Sequence, residues 1–399
     1  MVYSEYHLPN DLHLVWSLMI VTYPFLSGIM AGAFAISALH IAFGVESLRP
    51  VNRFALLVSF AFLTCITLPL LNHLGHPERA LNVVIVPNHR SAIGGFGYIY
   101  MVFFAILALI VWFSYREDLI AEAQRSTGVK KALLNAVLLW NTNIDDEIRE
   151  IDRQAVFYLT AIGIPSMAVL SGYVGFLFGS LKSNPWWSTP VMPFVFFVSG
   201  LMSGIAVVTL LYLYLGAAGY LVRSYQCLRT LGALLWFSTL GYIILEGVEL
   251  LYFYYESSDA WFVISTLLLT KLKISFFFLQ LGLGLGVAFL LLSAMFAFGV
   301  DEPTFAKVTA VASVFLLFEV WMMRWNIVVG GQLFSKSYVG FREFHPLWFE
   351  KEGIAPAIAF TLLPFLVLWI VTRILSVREA GDNKADIPAP RKDAGHESY

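Results

Sequence analysis

Four ionisable residues stand in stretches too apolar to hold them cheaply. Glu246 and Glu249 lie three apart in GYIILEGVELLYFYY, on one face of a helix, and Glu319 and Arg324 lie five apart in FEVWMMRWNIVVGG. A charge inside an apolar run is expensive and marks a functional candidate. Two readings stand. In one, a glutamate pairs with Arg324 and pins two helices together; in the other, the three glutamates carry protons to or from a buried redox site. Two tyrosines occupy comparable places in other apolar runs: Tyr23 in TYPFLSGIMAGA, ahead of Pro24 and the small pair Gly28 and Gly32, and Tyr173 in LSGYVGFLFG. A buried phenol needs a partner. A backbone carbonyl is the commoner one, and a quinone carbonyl is one chemically apt alternative.

The elements that must position these residues follow from composition. Of 399 residues, 59% are hydrophobic and 13% charged, with a mean hydropathy of +0.75; soluble domains are about half apolar and a quarter charged. A bilayer core needs about 20 apolar residues per helix. Such runs occur at 15–43, 54–72, 96–115, 154–181, 191–221, 230–255, 275–299, 305–325 and 355–377. The expected fold is an all-α integral membrane protein of about nine to ten transmembrane helices, in which two four-helix groups suit a pair of packed bundles with one extra helix. The apolar stretch WFVISTLLLT at 261–270 is too short to span and reads as an interfacial or re-entrant piece. The start MVYSEYHLPND lacks a basic region, so no cleavable signal peptide is expected.

Lys and Arg gather on the cytoplasmic side of membrane proteins. With nine spans, the loops at 44–53, 116–153, 222–229 and 300–307 share a side with the C-terminal end, and together they hold 16 of the 25 basic residues. The opposite side, with the N-terminus (1–14), the segment 73–95, the SNPWWSTP loop and the long loop 326–354, is therefore expected to be extracytoplasmic. Between them lies a polytopic domain over 15–377. Its longest soluble insertion, 117–153, contains LIAEAQRSTGVKKALLNAVLLW, whose apolar spacing suggests an amphipathic helix lying on the membrane. The tail 378–399 is polar and rich in Pro, Ala and Gly, and is expected to be a disordered cytoplasmic extension.

Several chemistries are excluded. Cys65 and Cys227 stand far apart, whereas an iron–sulfur cluster needs about four thiolates in tight spacing. Haem between helices would want facing histidines, and only His40 and His73 are candidates. LGLGLG at 281–286 lies inside an apolar run and reads as close helix packing rather than a phosphate loop. A net charge of −2 without a basic cluster argues against nucleic acid.

The segment HLGHPERALNVVIVPNHRSAIGG at 73–95 joins the second and third spans on the same side as the buried acids. His73, His76, Glu78 and Arg79 give it proton-exchanging and anion-binding groups, while Pro77 and Pro87 forbid a continuous helix. An ordinary loop is the alternative.

TYPFLSGIMAGAF, LNHLGHPERALNVVIVPNHRSAIGGFGYIY, IPSMAVLSGYVGFLFG and MMRWNIVVGGQ, in this order and spacing, resemble the NrfD-like family, the membrane subunits of polysulfide reductase and its relatives. The resemblance covers roughly residues 10–375. RWNIVVGGQ is similar to the branch with a ninth or tenth span, found in menaquinone reductase and in hydrogenase- and sulfite-reductase-linked complexes. The resemblance implies a cofactor-free bundle pair in the bacterial inner membrane that binds menaquinone near the periplasmic surface, with no haem or iron–sulfur cluster of its own. It implies partners: a periplasmic ferredoxin-like iron–sulfur subunit, and beyond it catalytic or multihaem cytochrome c subunits. By motif position Tyr173 matches the family's quinone-contacting tyrosine, and Tyr23 falls where polysulfide reductase has a quinone-contacting histidine. The family's asparagine three residues earlier is Ile20 here, leaving His76 or Arg79 as the polar group expected at that place. The expected quinone site is thus Tyr23, Tyr173, His76, Arg79 and Arg324, with Glu246, Glu249 and Glu319 as proton carriers. A path to the cytoplasm would have only His40, Thr64 and Thr67 to use. The rival readings are a proton-coupled transporter, which would want ionisable groups at mid-membrane and repeated halves, and a passive anchor for an external enzyme.

Overall fold

The computed structural model describes residues 14–86, 88, 90–142, 145–256, 259–334 and 340–375. The tail 378–399 and most of the N-terminal segment fall outside the described residues, as do Pro87 and His89. Among the described residues the structure is helical, with a single β-type bridge between Phe334 and Phe341.

Nine helices among these residues are long and apolar enough to cross a membrane, and each covers a run expected from hydropathy. Helix α1 (Leu18–Ile41) starts at Ser17, whose hydroxyl accepts from the Met19 amide at 3.3 Å. The second span continues from a 3₁₀ turn through α2 (Arg49–Cys65) into the short α3 (Leu68–His73). The segment that follows is broken, as its prolines require: a 3₁₀ turn at Pro77–Arg79, then the four-residue α4 (Asn82–Ile85). Next come α5 (Ala92–Arg125), α6 (Gly128–Val137) and α7 (Asp146–Gly179), the last capped by Asp145, whose carboxylate accepts from the Ile148 amide at 2.9 Å. Much of 117–153 is helical, because α5 and α7 each run 34 residues and project beyond the apolar layer, with α6 between them.

The second half holds α8 (Met192–Ala217), α9 (Tyr225–Glu256), the short α10 (Asp259–Thr270), a π-helical segment Lys273–Gly286 that continues as α11 (Val287–Phe298), then α12 (Glu302–Val328) and α13 (Ile354–Thr372). Helices α1, α2, α5 and α7 pack as one bundle, and α8, α9, α11 with its π segment, and α12 as another; α13 lies outside against α1 and α2. Helix α1 is the shared axis, with 89% of its apolar window buried against 17% for α13.

Lipid gives no hydrophobic drive for helices to pair, so close contact between small residues does the work. The seam between bundles shows it. A Cβ on Gly32 would meet Gly204 Cα at 2.7 Å, one on Gly28 would meet Gly200 Cα at 2.8 Å, and the obstacles are backbone. The small pair read from TYPFLSGIMAGA is thus where α1 meets α8.

Candidate functional site

The site is held by residues near the beginnings of α1, α8 and the π segment and near the ends of α9 and α12, so all lie in one half of the membrane layer. Loops on that face lock the ends together. Gln332 accepts from the Trp16 amide at 3.1 Å and donates to the Trp16 carbonyl at 2.9 Å, and Trp16 stacks on Trp187 at 4.9 Å. Trp187 Nε1 donates to the Ile327 carbonyl at 2.7 Å, and Asn184 donates to the Gly331 carbonyl at 2.7 Å. The SNPWWSTP loop and RWNIVVGGQ are therefore one structure. Only glycine fits at 331, since a Cβ there would meet Trp187 Nε1 at 2.4 Å.

Inside, Arg324 is 1% exposed. Its guanidinium donates to the Phe196 carbonyl at 3.2 Å and Ser199 Oγ at 2.9 Å, and lies 3.8 Å over the Phe196 ring. Among the described residues it forms no ion pair, and its Nε has no hydrogen-bond partner. The helix-pinning Glu–Arg324 pair allowed by the sequence is not what holds α12 in place.

Among the described residues, fully buried Glu319 has neither carboxyl oxygen hydrogen-bonded, and one oxygen each of Glu246 and Glu249 is likewise buried without a partner. The groups lie in electrostatic reach in series: Tyr23 with Arg324, Arg324 with Glu319, Glu319 with Glu246, and Glu246 with Glu249. The line crosses from α1 through α12 to α9.

Beside it stands a polar bridge that the sequence reading missed. Gln280 donates to Tyr242 Oη at 3.2 Å and lies 3.5 Å from Glu246 Oε1, while its own Oε1 accepts from Asn326 Nδ2 at 2.7 Å. Tyr242, Gln280 and Asn326 are all buried. Each is uncharged, so a search for ionisable groups in spans passes over them; a lone glutamine in KISFFFLQLGLGLG was the available signal. Of the glycines of that run, Gly284 packs against another helix, where a Cβ would meet Glu319 Cβ at 2.6 Å.

Tyr23 is 3% exposed, packs edge-on to Phe96 at 5.6 Å, and its hydroxyl has no hydrogen-bond partner among the described residues. Pro24 follows it within α1 and has no N–H, so the Ile20 carbonyl lacks its usual helical donor at the same level. Tyr173 reaches the start of α5, against Gly95, and donates to the Ala92 carbonyl at 2.7 Å, the backbone alternative that the sequence left open.

The other residues singled out lie apart. His76 is 69% exposed and bonds Glu78 at 2.9 Å, and Arg79 is exposed. His73 binds Glu352 at 2.9 Å, and Ser17 donates to the same carboxylate, so this histidine ties the segment to the start of α13. On the opposite face, His40 contacts the Val45 carbonyl at 3.2 Å; Thr64, nearer the loop face, donates back to Ala61 at 2.8 Å. Cys65 and Cys227 are free and buried. Among the described residues no group of three or more His, Cys, Asp or Glu side chains could hold a metal ion.

Comparison with known proteins gives this arrangement a context. The family model described as polysulphide reductase, NrfD matches residues 8–336. A selenate reductase subunit of Mesobacillus selenatarsenatis is 29% identical over 226 residues, 55% of this chain and 52% of the relative. Protein NrfD of Escherichia coli is 27% identical over 209 residues, 51% of this chain and 60% of the relative. The chain spans about half the length of the curated relatives it matches.

Proposed function

The chain belongs to the polysulphide reductase NrfD family, and from that premise we propose that it is the quinone-reactive membrane subunit of a multi-subunit respiratory oxidoreductase. It exchanges electrons between an iron–sulfur subunit on the loop face and the menaquinone pool. The proposed setting is a bacterial inner membrane, with the N-terminus and loop face periplasmic and the C-terminus cytoplasmic. Its relatives are named as subunits of reductases, which supports catalytic partners for this chain; a multihaem cytochrome is a further candidate.

The observation that carries the reading is the Tyr23 hydroxyl. A buried hydroxyl without a partner is costly, at about 1–3 kcal/mol, and here it lies in electrostatic reach of Arg324, whose Nε is also unpartnered among the described residues. A ligand bearing carbonyl oxygens satisfies both donors at once. A bound quinone supplies two-electron, two-proton redox chemistry. Tyr23 donates a hydrogen bond to a carbonyl oxygen, and Arg324 stabilises negative charge as it develops there. Glu319, Glu246 and Glu249 exchange protons along their line, with Gln280 and Tyr242 fixing the geometry of Glu246. Phe96 forms an apolar wall for the ring. Tyr173, bonded to Ala92, holds the start of α5 and so sets the position of Phe96; His76 and Arg79, exposed on the loop, would meet a quinone at its entrance.

Titration of the purified protein with a fluorescent quinol analogue tests this. Saturable quenching, displaced by menaquinol analogues, is expected. Absence of saturable binding in folded protein together with its partner subunits would leave an anchor or a transporter.

A further inference from the structure

A second interaction surface lies at the far end of the first bundle, away from the candidate quinone site. Helix α6 presents two apolar faces. Leu134 and Leu138 are buried toward the neighbouring helix α5, but Val129 (77% exposed), Leu133 (63%), Val137 (50%), Leu139 (75%) and Trp140 (72%) point outward. Val129, Leu133 and Val137 recur every four residues and so form one stripe. The stripe ends in an unusual turn: Leu139 and Trp140 both take left-handed backbone conformations, at φ 51° and 57°, and the Trp140 amide closes on the Asn135 carbonyl at 2.8 Å. Neither residue has the glycine that such a turn favours.

The level of this turn relative to the membrane can be read from its neighbours. Along α5, outward apolar side chains run from Ile93 (64% exposed) to Leu109 (45%), and along α7 from Phe176 (44%) back to Tyr158 (63%). Taken to Trp112 on α5, each stretch is about 28 Å of helix at about 1.5 Å per residue, close to the ~30 Å hydrocarbon thickness. Past those levels the exposed pairs are ionic, as in Arg149 with Glu117 at 2.6 Å. The rest of α5, to Arg125, stands clear of the apolar layer. Helix α6 turns back along it, and Trp112 Nε1 donates to the Val137 carbonyl at 2.9 Å. The tip Leu139–Trp140 therefore returns to the level of the membrane boundary, while Lys130, paired to Glu122, lies about 15 Å farther out along the two helices.

We infer that the end of α6 is a lipid-binding foot: Leu139 and Trp140 insert at the boundary between headgroups and acyl chains, Val137 stands beside them at that level, and Leu133 and Val129 follow outward along the helix. A Trp at that boundary has its amphipathic ring in the preferred place. This goes beyond a helix resting on the membrane, because the structure assigns the inserted residues and the end that leads. It is independent of the quinone reading.

Spin labelling of the full-length chain in phosphatidylcholine–phosphatidylglycerol vesicles tests it. Cys65 and Cys227 are 3% and 0% exposed and stay unlabelled. Nitroxides at Leu139→Cys, Trp140→Cys and, as a solvent reference, Asp146→Cys are compared for collision with oxygen and with a water-soluble nickel chelate. The expected result is an oxygen-to-chelate ratio several-fold higher at 139 and 140 than at 146. Chelate access equal to that at 146 overturns the inference, and so does exclusion of both agents, which would mean that protein covers the turn. Val137→Cys, at the level of Trp112, gives the same readout should the turn variants fail to fold.

Discussion

The guanidinium of Arg324 lies 3.8 Å over the Phe196 ring and donates to that residue's carbonyl and to Ser199, both on α8. An arginine fully enclosed between helices, held by one aromatic face, two oxygen acceptors and the Met323 sulfur at 3.3 Å, all neutral, has charge left over for something else. Lysine cannot reproduce that planar contact. Arg324→Lys is expected to fold but to weaken quinol-analogue binding about tenfold or more, a loss of ~1.4 kcal/mol per decade, as measured by fluorescence titration at matched thermal stability.

The two tyrosines should behave oppositely. Tyr173→Phe removes a hydrogen bond to the Ala92 carbonyl and should lower stability by about 0.5–1.5 kcal/mol. Tyr23→Phe removes a hydroxyl that bonds nothing among the described residues, so thermal unfolding in detergent should be unchanged or slightly raised.

Gln280 ties three helical segments together through Tyr242, Glu246 and Asn326. Gln280→Leu leaves the Asn326 amide buried without its acceptor and should destabilise by about 1–3 kcal/mol. Asn326→Leu in the same chain should recover part of that loss, because it removes the stranded partner; a double-mutant cycle of unfolding temperatures checks it.

Close approach of the bundles predicts where side chains are forbidden. A Cβ on Gly204 would meet Gly32 Cα at 2.5 Å and the Ile29 carbonyl at 2.5 Å, neither of which can swing away. Gly204→Ala should cost about 1–3 kcal/mol by overpacking, whereas Gly247→Ala, where nothing lies within 4 Å, should be neutral in the same unfolding assay.

Much of the fold was legible because hydropathy reports burial in lipid directly: the nine spans found among the described residues coincide with apolar runs. The helical overhang of α5 and α7 was hidden, since charged residues such as Glu117 and Arg149 end an apolar window without ending a helix. The acids and Arg324 were legible as costly residues in apolar runs, but which of them pair was not, because pairing depends on how α12 sits against α8 and α9. Tyr242, Gln280 and Asn326 escaped notice as uncharged residues among many others. The π-helical turn register that aims Gln280 leaves no periodic trace that an α-helical template detects. His76 and Tyr23 share a face of the membrane in sequence; only coordinates show that one is in solvent and the other enclosed.

The central claim is that Tyr23 and Arg324 hold a quinone oxygen, and quinol-analogue titration of Tyr23→Phe beside wild type tests it most directly. The account predicts saturable binding in both, about tenfold weaker in the variant, with unfolding temperatures that match. Equal affinity in Tyr23→Phe and in Arg324→Lys, in protein that remains folded, would contradict it.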